Sequence, residues 1–532
     1  MTSTRISSES PVIRNSSTVS DLIRRSAGRF PTDTALEFGD RTWTYAELDS
    51  AVTAVARELV RLGVTKGDRV AAYGKNSDLF VLLYLGCARA GFIHVPVNYQ
   101  LKNDELDYIL SNSGAEIVFS DSDLMSAVTS TPTGAEAQVI DFADLVPVAT
   151  AEEIAPAGSA EFSVDDTDVA QLLYTSGTTS APKGAVMTHR ALLHEYLSSL
   201  MSLDFAATDR AVHALPLYHS AQMHVFLLPL LSIGAHNIIV PAPVPEQLLA
   251  IFEEREINSF FAAPTVWVAL ANSPDLDTRN LDSLHKAYYG ASIMPGPILE
   301  RLRQRLPLLG FYNCFGQSEL GPLCTVLRPE EHDDHPGSAG RPVMFVETSV
   351  VDADGDDVGP GEEGEILYRS PQLCEGYWNR PEATAEAFDN GWFHSGDLVK
   401  VDEDGFIEVV DRVKDVINTG GVLVASRQVE DAIFDLPQVA EVAVVGIADE
   451  KWIEAVAAFV VLKVGQPPLS AEDVIATSNL VWRDSRCPRE WSSWPNCRRT
   501  RPGRSSSAAC AKPERRTLRH WRMRRCLRRV GG

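Results

Sequence analysis

The sequence lacks both a long hydrophobic run and a cysteine framework. No apolar segment approaches the roughly 18 residues that a membrane-spanning helix needs, and the longest candidate, Val225 to Ala235, has the length of a buried core segment. Met1 to Ser20 is rich in Ser and Thr and has no apolar stretch typical of a secretory signal. The 8 cysteines show neither close pairing nor metal-type spacing. We therefore expect no transmembrane segment, no disulfide framework and a cytoplasmic location.

Basic residues are scarce in most of the chain and concentrated at its end. The net charge is −24, but the residues from Asn479 onward carry +13, with 15 Arg, whereas the preceding 478 residues carry −37. Four of the 9 Trp also fall in this tail. A basic tail raises the alternative of a polyanion-binding protein. Because the tail has neither apolar periodicity nor a known motif, we expect no nucleic-acid partner.

The order of apolar segments predicts an α/β protein with more than one domain. The chain has 532 residues, of which 45% are apolar and 23% charged, and it is too long for one compact domain. Arg69–Tyr73, Leu79–Ala90 and Phe92–Val97 have the patterns of a strand, a helix and a strand, which favours a parallel sheet. Apolar periodicity predicts a helix over 44–62, begun by a capping box. Further strands are predicted at Ala115–Phe119, Ala170–Tyr174 and Ala235–Val240.

The pattern changes in the last third of the chain. Residues 345–412 contain short alternating segments with Asp/Gly turns at Asp352–Gly355 and Asp402–Gly405, typical of an antiparallel barrel or sheet. After these residues, short α+β segments follow, with strands predicted at Gln438–Gly446 and Ile453–Lys463.

These patterns predict three parts. We expect a large N-terminal domain over 1–411, with parallel-type α/β sheets and a small barrel, and a small α+β domain over 412–476. The boundary is predicted near Asp411–Lys414. Residues 477–532 have no apolar period, and their like charges repel one another, so no stable fold is expected there.

One segment has the composition of a phosphate-binding loop. Tyr174–Ala185 reads Tyr-Thr-Ser-Gly-Thr-Thr-Ser-Ala-Pro-Lys-Gly-Ala and directly follows a predicted strand. Hydroxyls, a glycine-relieved backbone and one lysine at a strand end suit a polyphosphate, because amide donors and a cation converge there. It is not a Walker loop, since Gly184 follows Lys183 where Ser or Thr would stand. The candidate ligands are Thr175, Ser176, Gly177, Thr178, Thr179 and Lys183.

This segment resembles the adenylate-forming superfamily of acyl-CoA synthetases, peptide-synthetase adenylation domains and luciferases. The resemblance extends in order from about Thr18 to Ala476. Tyr289-Gly-Ala291 resembles the adenine-side loop of that family, and Phe315-Gly-Gln-Ser-Glu319 resembles its aromatic-Gly-x-Ser/Thr-Glu element. There the resemblance implies that the aromatic ring packs on adenine, the serine contacts phosphate and the glutamate holds Mg²⁺. The nucleotide contacts implied here are Gly290, Ala291, Asn313, Phe315, Gly316, Gln317, Ser318 and Glu319.

Two later segments also resemble the family. Gly391–Asp397 reads Gly-Trp-Phe-His-Ser-Gly-Asp, and Asp411–Ile417 reads Asp-Arg-Val-Lys-Asp-Val-Ile. The resemblance implies that Asp397 accepts the ribose hydroxyls and that Arg412 assists. It also implies that Lys414 is the hinge about which a small domain rotates.

The expected acid substrate rests on a further resemblance. Pro216-Leu-Tyr-His219 is similar to a pocket-gating stretch in which His219 would lie near the carboxylate. Residues 218–222 contain no acidic side chain that could hold an ammonium group, which disfavours an amino-acid substrate. Four residues could line an apolar acyl pocket or belong to ordinary core, namely Met223, Phe226, Leu227 and Ile293.

The resemblance implies two half-reactions, with ATP, Mg²⁺ and CoA. A fatty or aryl acid would attack ATP to give an acyl-adenylate and pyrophosphate, and a thiol would then displace AMP. Gly420 and Gly421 resemble a loop that lines a pantetheine channel, so CoA is favoured over a carrier-protein thiol as acceptor. The catalytic residues implied are Thr175, Lys183, His219 and Glu319.

The chain departs from the family most clearly at its end. Ser180, Ser426 and Gln428 stand where Gly, Pro and Glu are usual, but no Pro-Arg/Lys-x-x-x-Gly-Lys element follows Ala476. In the family, its lysine reaches the carboxylate and the α-phosphate during adenylation.

The tail can be explained as translation in a shifted reading frame. Moving the codons by one base permits a family-like ending over 484–507, in which the missing lysine would straddle Gly503 and Arg504. We therefore interpret the tail as out-of-frame translation from near Ala476, arising in the gene or in its sequencing, and expect impaired adenylation.

Overall fold

A computed structural model describes most of the chain up to residue 462. The described residues are 17–151, 154, 162–175, 181–292, 294–419, 422–434, 436, 438–449, 453–462, 469, 474 and 490–493. They form two compact units. The first comprises described residues within Met1–Asp334, Pro342–Glu347 and Arg369–Phe388, and the second those within His335–Arg341, Thr348–Tyr368 and Asp389–Gly532.

The first unit contains a six-stranded, mainly parallel sheet. Its strand order is Gln138–Asp141, Ile117–Ser120, Arg69–Tyr73, Ile93–Pro96, Val169–Thr175 and Lys183–Thr188. Only the last pair is antiparallel. The predicted strand at Arg69–Tyr73 is confirmed at both ends, and its parallel pairing with Ile93–Pro96 confirms the parallel α/β unit.

A second sheet in this unit is also mainly parallel. Its strands within the unit run in the order Leu323–Leu327, Gly310–Gly316, Lys286–Gly290, Ser259–Ala262, Arg210–His213, His236–Ile239, Thr34–Phe38 and Arg41–Thr44. Only the outermost pair at each end is antiparallel. The parallel strands therefore direct their carboxyl ends to one edge, where loops can carry a binding site.

Helices cover these sheets. The α-helices of the unit are Val19–Arg29, Tyr45–Arg61, Asp78–Ala90, Asn103–Ser113, Met125–Thr129, Pro132–Glu136, Leu145–Ala149, His189–Ser202, Leu228–Ile233, Pro245–Glu254, Pro264–Asn272, Asp275–Thr278, Gly296–Arg305 and Pro381–Ala387. Short 3-10 helices are Phe142–Asp144, Ser318–Leu320 and Pro329–Glu331, and a π-helix spans Ala221–Leu227. In the described part of the chain, no helix is long and apolar enough to cross a membrane.

Local sequence explains where two of these helices begin and end. The predicted capping box is present, since Thr44 N donates to Glu47 Oε2 at 2.8 Å and Glu47 N donates to Thr44 Oγ1 at 3.3 Å. Asp78–Ala90 is buried along its whole length, as its apolar composition demands, and it ends at Gly91 with φ +78°.

The second unit contains two small sheets and a helix. The first sheet pairs Glu347–Val351, Glu363–Arg369, Trp392–Val401 and Ile407–Arg412, with antiparallel ladders on both sides of Trp392–Val401. The second contains Ile417–Thr419, Val422–Val424, Val439–Asp449, Ile453–Leu462 and Glu490–Ser493. The helix is Ser426–Phe434. Two further strands, Arg341–Pro342 and Phe388–Asp389, have one residue in each unit. Mixed α/β architecture with an antiparallel part and a small C-terminal α+β part is thus confirmed.

The compact units do not follow the predicted boundary near Asp411–Lys414. The antiparallel strands before this segment share a sheet through the pairing of Asp397 with Arg412, and they are grouped with the residues after it. The division into 1–411, 412–476 and 477–532 stays a prediction.

One short strand is described within the predicted tail. Glu490–Ser493 form a strand parallel to Ala457–Val460. An open sheet edge offers unpaired N–H and C=O groups to any extended segment, and this backbone pairing depends little on side-chain identity. The other tail residues lie outside the described part of the chain.

Candidate functional site

A β-hairpin in the first unit places Thr175 opposite Lys183. Val169–Thr175 pairs antiparallel with Lys183–Thr188, and the register aligns the two residues directly. The candidate ligands Ser176, Gly177, Thr178 and Thr179, together with Ser180, lie outside the described residues. The hairpin therefore brings a hydroxyl and a half-buried lysine to one strand end, as the predicted phosphate loop requires.

The carboxylate of Glu319 lies beside this hairpin. Glu319 is only 9% exposed and belongs to the short helix Ser318–Leu320. Its Oε1 accepts hydrogen bonds from Thr175 Oγ1 at 3.2 Å and from Tyr377 OH at 3.0 Å. Thr175 Oγ1 also lies 3.5 Å from the carbonyl oxygen of Lys183, but its single hydrogen favours the shorter contact with the charged acceptor. Among the described residues no hydrogen-bond donor reaches Oε2, so none of them competes with a cation for that oxygen.

Sequence reasoning missed Tyr377, which contacts both charges of the site. The Lys183 ammonium lies over the Tyr377 ring, 4.8 Å from its centroid, while the Tyr377 hydroxyl donates to Glu319. A signal was available in Gly376-Tyr377-Trp378, where glycine precedes two aromatic residues outside any predicted element. Such a signal is weak until the partners of the ring are known.

Backbone pairing fixes the position of Tyr377. Trp378 N donates to Gly184 O at 2.8 Å, and Val186 N donates to Gly376 O at 2.9 Å. On the other side, Cys374 N donates to Glu319 O at 2.8 Å. One short segment therefore ties the lysine-bearing strand to the glutamate-bearing turn.

The predicted adenine-side residues lie on two neighbouring parallel strands. Lys286–Gly290 pairs with Gly310–Gly316, so their carboxyl ends meet at one edge. A Cβ on Gly290 would lie 2.2 Å from Cys314 O, and one on Gly316 would lie 1.8 Å from Pro322 O. Only glycine fits at either position.

The other residues predicted to contact nucleotide lie around these glycines. Ala291 has φ +65°, in the left-handed region that non-glycine residues rarely adopt, which marks a constrained turn. Asn313 pairs with Tyr289, and the half-buried Phe315 pairs with Thr325. Gln317 is half-buried and immediately precedes Ser318 and Glu319. The structure thus gathers these residues at one sheet edge.

His219 lies next to a direct contact with the Glu319 turn. It is exposed, its backbone N donates to Pro216 O at 3.1 Å, and its ring centroid lies 4.5 Å from that of Tyr218. The following residue, Ser220, forms a hydroxyl–hydroxyl hydrogen bond of 2.9 Å with Ser318. His219 is therefore held at the rim of the site.

Three of the four candidate acyl-pocket residues lie in packed core. Met223, Phe226 and Leu227 belong to the π-helix and are at most 2% exposed. Phe226 stacks on Phe261 with ring centroids 4.0 Å apart. Ile293 lies outside the described residues. The ordinary-core interpretation fits these three side chains.

In the second unit, Asp397 and Arg412 face each other across two strands. They are register partners, and Arg412 Nε donates to Asp397 Oδ1 at 2.7 Å. Asp397 is 3% exposed, and its backbone N donates to Ser395 Oγ at 2.9 Å. Lys414 is exposed in the turn that follows, which is closed by a 2.9 Å bond from Asp415 N to Arg412 O. Gly420 and Gly421 lie outside the described residues.

The departure at Ser426 is compensated by Asp411. Ser426 Oγ donates to Asp411 Oδ2 at 3.0 Å, and Arg427 N donates to the same oxygen at 3.4 Å. The Asp411 carboxylate therefore accepts hydrogen bonds at the start of the helix Ser426–Phe434, where backbone N–H groups have no partner within the helix. On this helix, burial raises the pKa of Glu430 to about 7, although Val444 N donates to its carboxylate at 2.8 Å.

The family profile of the AMP-binding enzymes matches residues 23–378, which include both sheets of the first unit and the Thr175–Glu319 contact. The chain belongs to the AMP-binding enzyme family. The profile of the AMP-binding enzyme C-terminal domain matches residues 428–504, and so continues past Ala476. The resemblance to the adenylate-forming superfamily is thereby confirmed.

Relatives and solved structures of AMP-binding enzymes cover almost the whole chain. Feruloyl-CoA synthase of Amycolatopsis sp is 36% identical over 478 residues, covering 89% of this chain and 93% of the relative. The fatty acid–[acyl-carrier-protein] ligase ScoC of Streptomyces coeruleorubidus is 32% identical, covering 82% of this chain and 85% of the relative. O-succinylbenzoate coenzyme A synthetase (MenE) from Bacillus subtilis, in complex with ATP and magnesium ion, has a TM-score of 0.80. It is 27% identical and covers 89% of this chain and 95% of its own.

Proposed function

We propose that this AMP-binding enzyme activates a carboxylic acid with ATP and transfers the acyl group to the thiol of CoA. The observation that carries the proposal is the assembly of Thr175, Lys183 and Glu319 at the end of one hairpin. A hydroxyl, a cation and a carboxylate in this arrangement suit a magnesium-bound polyphosphate.

The residues of the site fit Mg²⁺ bound together with phosphate. Mg²⁺ is usually held by one or two carboxylates plus substrate phosphates, and within the described residues only one of the two Glu319 carboxylate oxygens accepts hydrogen bonds. No cluster of three or more acidic, His or Cys side chains that could form a closed metal cage is found within the described residues. When bound, Mg²⁺ would neutralise phosphate charge.

The hairpin residues would bind the triphosphate. Thr175 would donate its hydroxyl hydrogen to a phosphate oxygen after exchange from Glu319, and Lys183 would place its ammonium against developing negative charge. The acid's carboxylate oxygen would then attack the α-phosphorus, and the bond from that phosphorus to pyrophosphate would break. His219, at the rim, would lie near the acid.

Asp397 and Arg412 are the proposed ribose contacts, and Lys414 is the proposed hinge for the second half-reaction. Asp397 would accept hydrogen bonds from the ribose hydroxyls, with Arg412 fixing the orientation of its carboxylate. Rotation about Lys414 would then exchange the adenylation arrangement for one in which a thiol displaces AMP. Gly420 and Gly421, which lie outside the described residues, stay the predicted contacts of the thiol.

Two acyl acceptors remain as candidates. The name of feruloyl-CoA synthase supports CoA, and the name of ScoC supports a carrier-protein thiol. We place CoA first because the feruloyl-CoA relative shares the higher identity. The same names support an aryl or fatty acid, and residues 218–222 still lack the acidic group that an amino-acid substrate would need.

We further propose that the chain as written adenylates poorly. Residues 477–504 contain no lysine, although the C-terminal domain profile reaches residue 504. The abrupt change to an Arg-rich composition after residue 478 supports a shifted reading frame. We also propose a cytoplasmic location, in keeping with the buried thiols Cys87, Cys314 and Cys374.

Acid-dependent pyrophosphate release tests the proposed function. The chain and its frame-corrected counterpart would be incubated with ATP, Mg²⁺ and a panel of aryl and fatty acids. We expect release only with an acid present, and much faster release from the corrected chain. No acid-dependent release from either chain would contradict the proposal.

A further inference from the structure

The Tyr377 side chain contacts both the Lys183 ammonium and the Glu319 carboxylate. The proposed function assigns these opposite charges to different ligands. Its hydroxyl donates to Glu319 Oε1 at 3.0 Å, and its ring lies under the Lys183 ammonium, 4.8 Å from ring centroid to Nζ. Within the described residues, Lys183 and Glu319 make no ion pair at 4 Å or less. Both charges instead contact the same aromatic side chain, each at a different part of it.

The aromatic ring offers the lysine an alternative to that ion pair. The face of a phenol ring is electronegative and attracts an ammonium within about 6 Å of the centroid. The edge hydroxyl, meanwhile, is a hydrogen-bond donor that stabilises a carboxylate in one orientation. One side chain thus satisfies the cation and the anion on different parts of its surface.

The backbone around Tyr377 makes this arrangement rigid. The flanking residues pair with the lysine-bearing strand through Trp378 N to Gly184 O and Val186 N to Gly376 O. Tyr377 N itself donates to Thr384 Oγ1 at 2.9 Å. Because the ring is half-buried and anchored on its own main chain, it does not depend on either charge for its position.

We propose that Tyr377 is a positioning residue that keeps Lys183 and Glu319 apart, so that the carboxylate stays available to a divalent cation and the ammonium to phosphate. This inference rests on the proposed function, since it assigns the two charges to Mg²⁺ and ATP. The Tyr377 hydroxyl acts on Glu319, which would bind the divalent cation. The Tyr377 ring acts on Lys183, which would bind phosphate.

Two substitutions separate these actions. Tyr377→Phe removes the hydrogen bond to Glu319 and keeps the ring beneath Lys183, whereas Tyr377→Leu removes both. Tyr73→Phe is the matched control, because it also removes a tyrosine hydroxyl, one that donates to Leu101 O at 2.7 Å away from these charges.

The measurement is binding of ATP to the full chain by calorimetry, without Mg²⁺ and across a Mg²⁺ titration. For Tyr377→Phe we expect the half-saturating Mg²⁺ concentration to rise about tenfold, the scale of a lost hydrogen bond to a charged group, with unchanged Mg²⁺-free ATP affinity. For Tyr377→Leu we expect the half-saturating Mg²⁺ concentration to rise and the Mg²⁺-free ATP affinity to fall. In a Lys183→Met background the two Tyr377 variants should become equal in Mg²⁺-free affinity, because the ring has lost its cation.

A purely structural role predicts a different pattern. General loosening of the site would lower Mg²⁺-free and Mg²⁺-dependent affinity together in Tyr377→Phe, with a lower midpoint of thermal unfolding, and this would overturn the inference. Unchanged Mg²⁺ dependence in Tyr377→Phe would also overturn it while leaving the proposed function intact. If the unsubstituted chain binds no ATP with Mg²⁺, the proposed function and the inference both fail.

Discussion

The Arg412 guanidinium donates to the buried Asp397 carboxylate, with 2.7 Å between Nε and Oδ1. The two residues are partners in register across neighbouring strands, so the sheet itself sets their contact. An ion pair built into a β-ladder orients a carboxylate without help from loops. This fixed orientation suits the role that we propose for Asp397, which is to accept hydrogen bonds from two ribose hydroxyls.

Replacement of Asp397 by Ala should weaken ATP binding. Loss of a charged acceptor for ribose hydroxyls costs roughly 1.5–3 kcal/mol, which corresponds to about a 10- to 150-fold weaker affinity. Isothermal calorimetry checks this. Glu408→Ala is the control, since Glu408 is an exposed carboxylate on the adjacent strand Ile407–Arg412 and should bind ATP normally. Equal affinities for both variants would remove Asp397 from the ribose site.

Gly316→Ala should distort the backbone at the sheet edge that carries the predicted adenine-side residues. Its Cβ would lie 1.8 Å from the carbonyl oxygen of Pro322 and 2.8 Å from Cys324 N, so the backbone before Ser318 must move. We expect loss of ATP binding and a free energy of unfolding lower by at least about 2 kcal/mol. Gly28→Ala is the control, because its Cβ meets nothing within 4 Å in the helix Val19–Arg29. That variant should be neutral or slightly more stable in urea unfolding. A Gly316→Ala protein that binds ATP normally would contradict the steric argument.

The pH dependence of unfolding should report the titration of the half-buried Glu430. Its pKa is raised to about 7 in the folded state, chiefly by burial, from an ordinary value near 4.5. The folded chain therefore holds a proton that the unfolded chain releases, and stability falls as pH rises from about 4.5 to 7. Each unit of pKa difference corresponds to about 1.4 kcal/mol before allowance for solvent screening.

Glu430→Gln removes this titration and keeps the acceptor for Val444 N. Denaturant unfolding at several pH values should give a flatter dependence for this variant across that window. Asp415, whose pKa burial also raises, leaves a residual slope of the same sign. The exposed Glu408→Gln serves as control and should retain the full slope. Parallel pH profiles for Glu430→Gln and the unsubstituted chain would refute the assignment.

Local patterns in the sequence predicted the elements that local forces determine. The strand Arg69–Tyr73 and the capping box at Thr44 and Glu47 depend on residues within one turn or one strand. The hairpin Val169–Thr175 with Lys183–Thr188 was anticipated only as one strand and a loop, because its partner strand contains three of the loop's own motif residues.

What could not be predicted depends on contacts between distant residues. Tyr377 reaches Glu319 across 58 positions of the chain, and Ser220 reaches Ser318 across 98. Neither residue lies in a local sequence pattern from which its partner could be predicted. The strand Glu490–Ser493 is similarly invisible, since it forms by pairing with the edge of Ile453–Leu462 and follows no apolar period.

Restoration of the reading frame should rescue adenylation. The lysine absent from residues 477–504 would stabilise charge developing on the carboxylate and α-phosphate, so its return should raise the rate of pyrophosphate release by on the order of 10²–10³. The rate of pyrophosphate release is measured for each chain in reactions quenched at set times. Equal rates would contradict the loss of this lysine's function.

The thioester step should depend less on the frame. When premade acyl-adenylate and CoA are supplied, we expect the two chains to differ by less than they do in adenylation, because the missing lysine acts on the first half-reaction. Thioester formation is measured chromatographically. A larger deficit in this step than in adenylation would indicate that the altered tail acts through folding of the second unit.

The most direct test of the central claim is mass-spectrometric detection of the acyl-adenylate formed by the frame-corrected chain from ferulic, benzoic or octanoic acid with ATP and Mg²⁺. Glu319→Gln, which removes the cation-binding charge but keeps an acceptor for Thr175 and Tyr377, is run beside it. The account predicts an acid–AMP product that requires Mg²⁺ and falls by at least about a hundredfold in Glu319→Gln. An acyl-adenylate formed equally well by both proteins, or by neither with any acid, would contradict it.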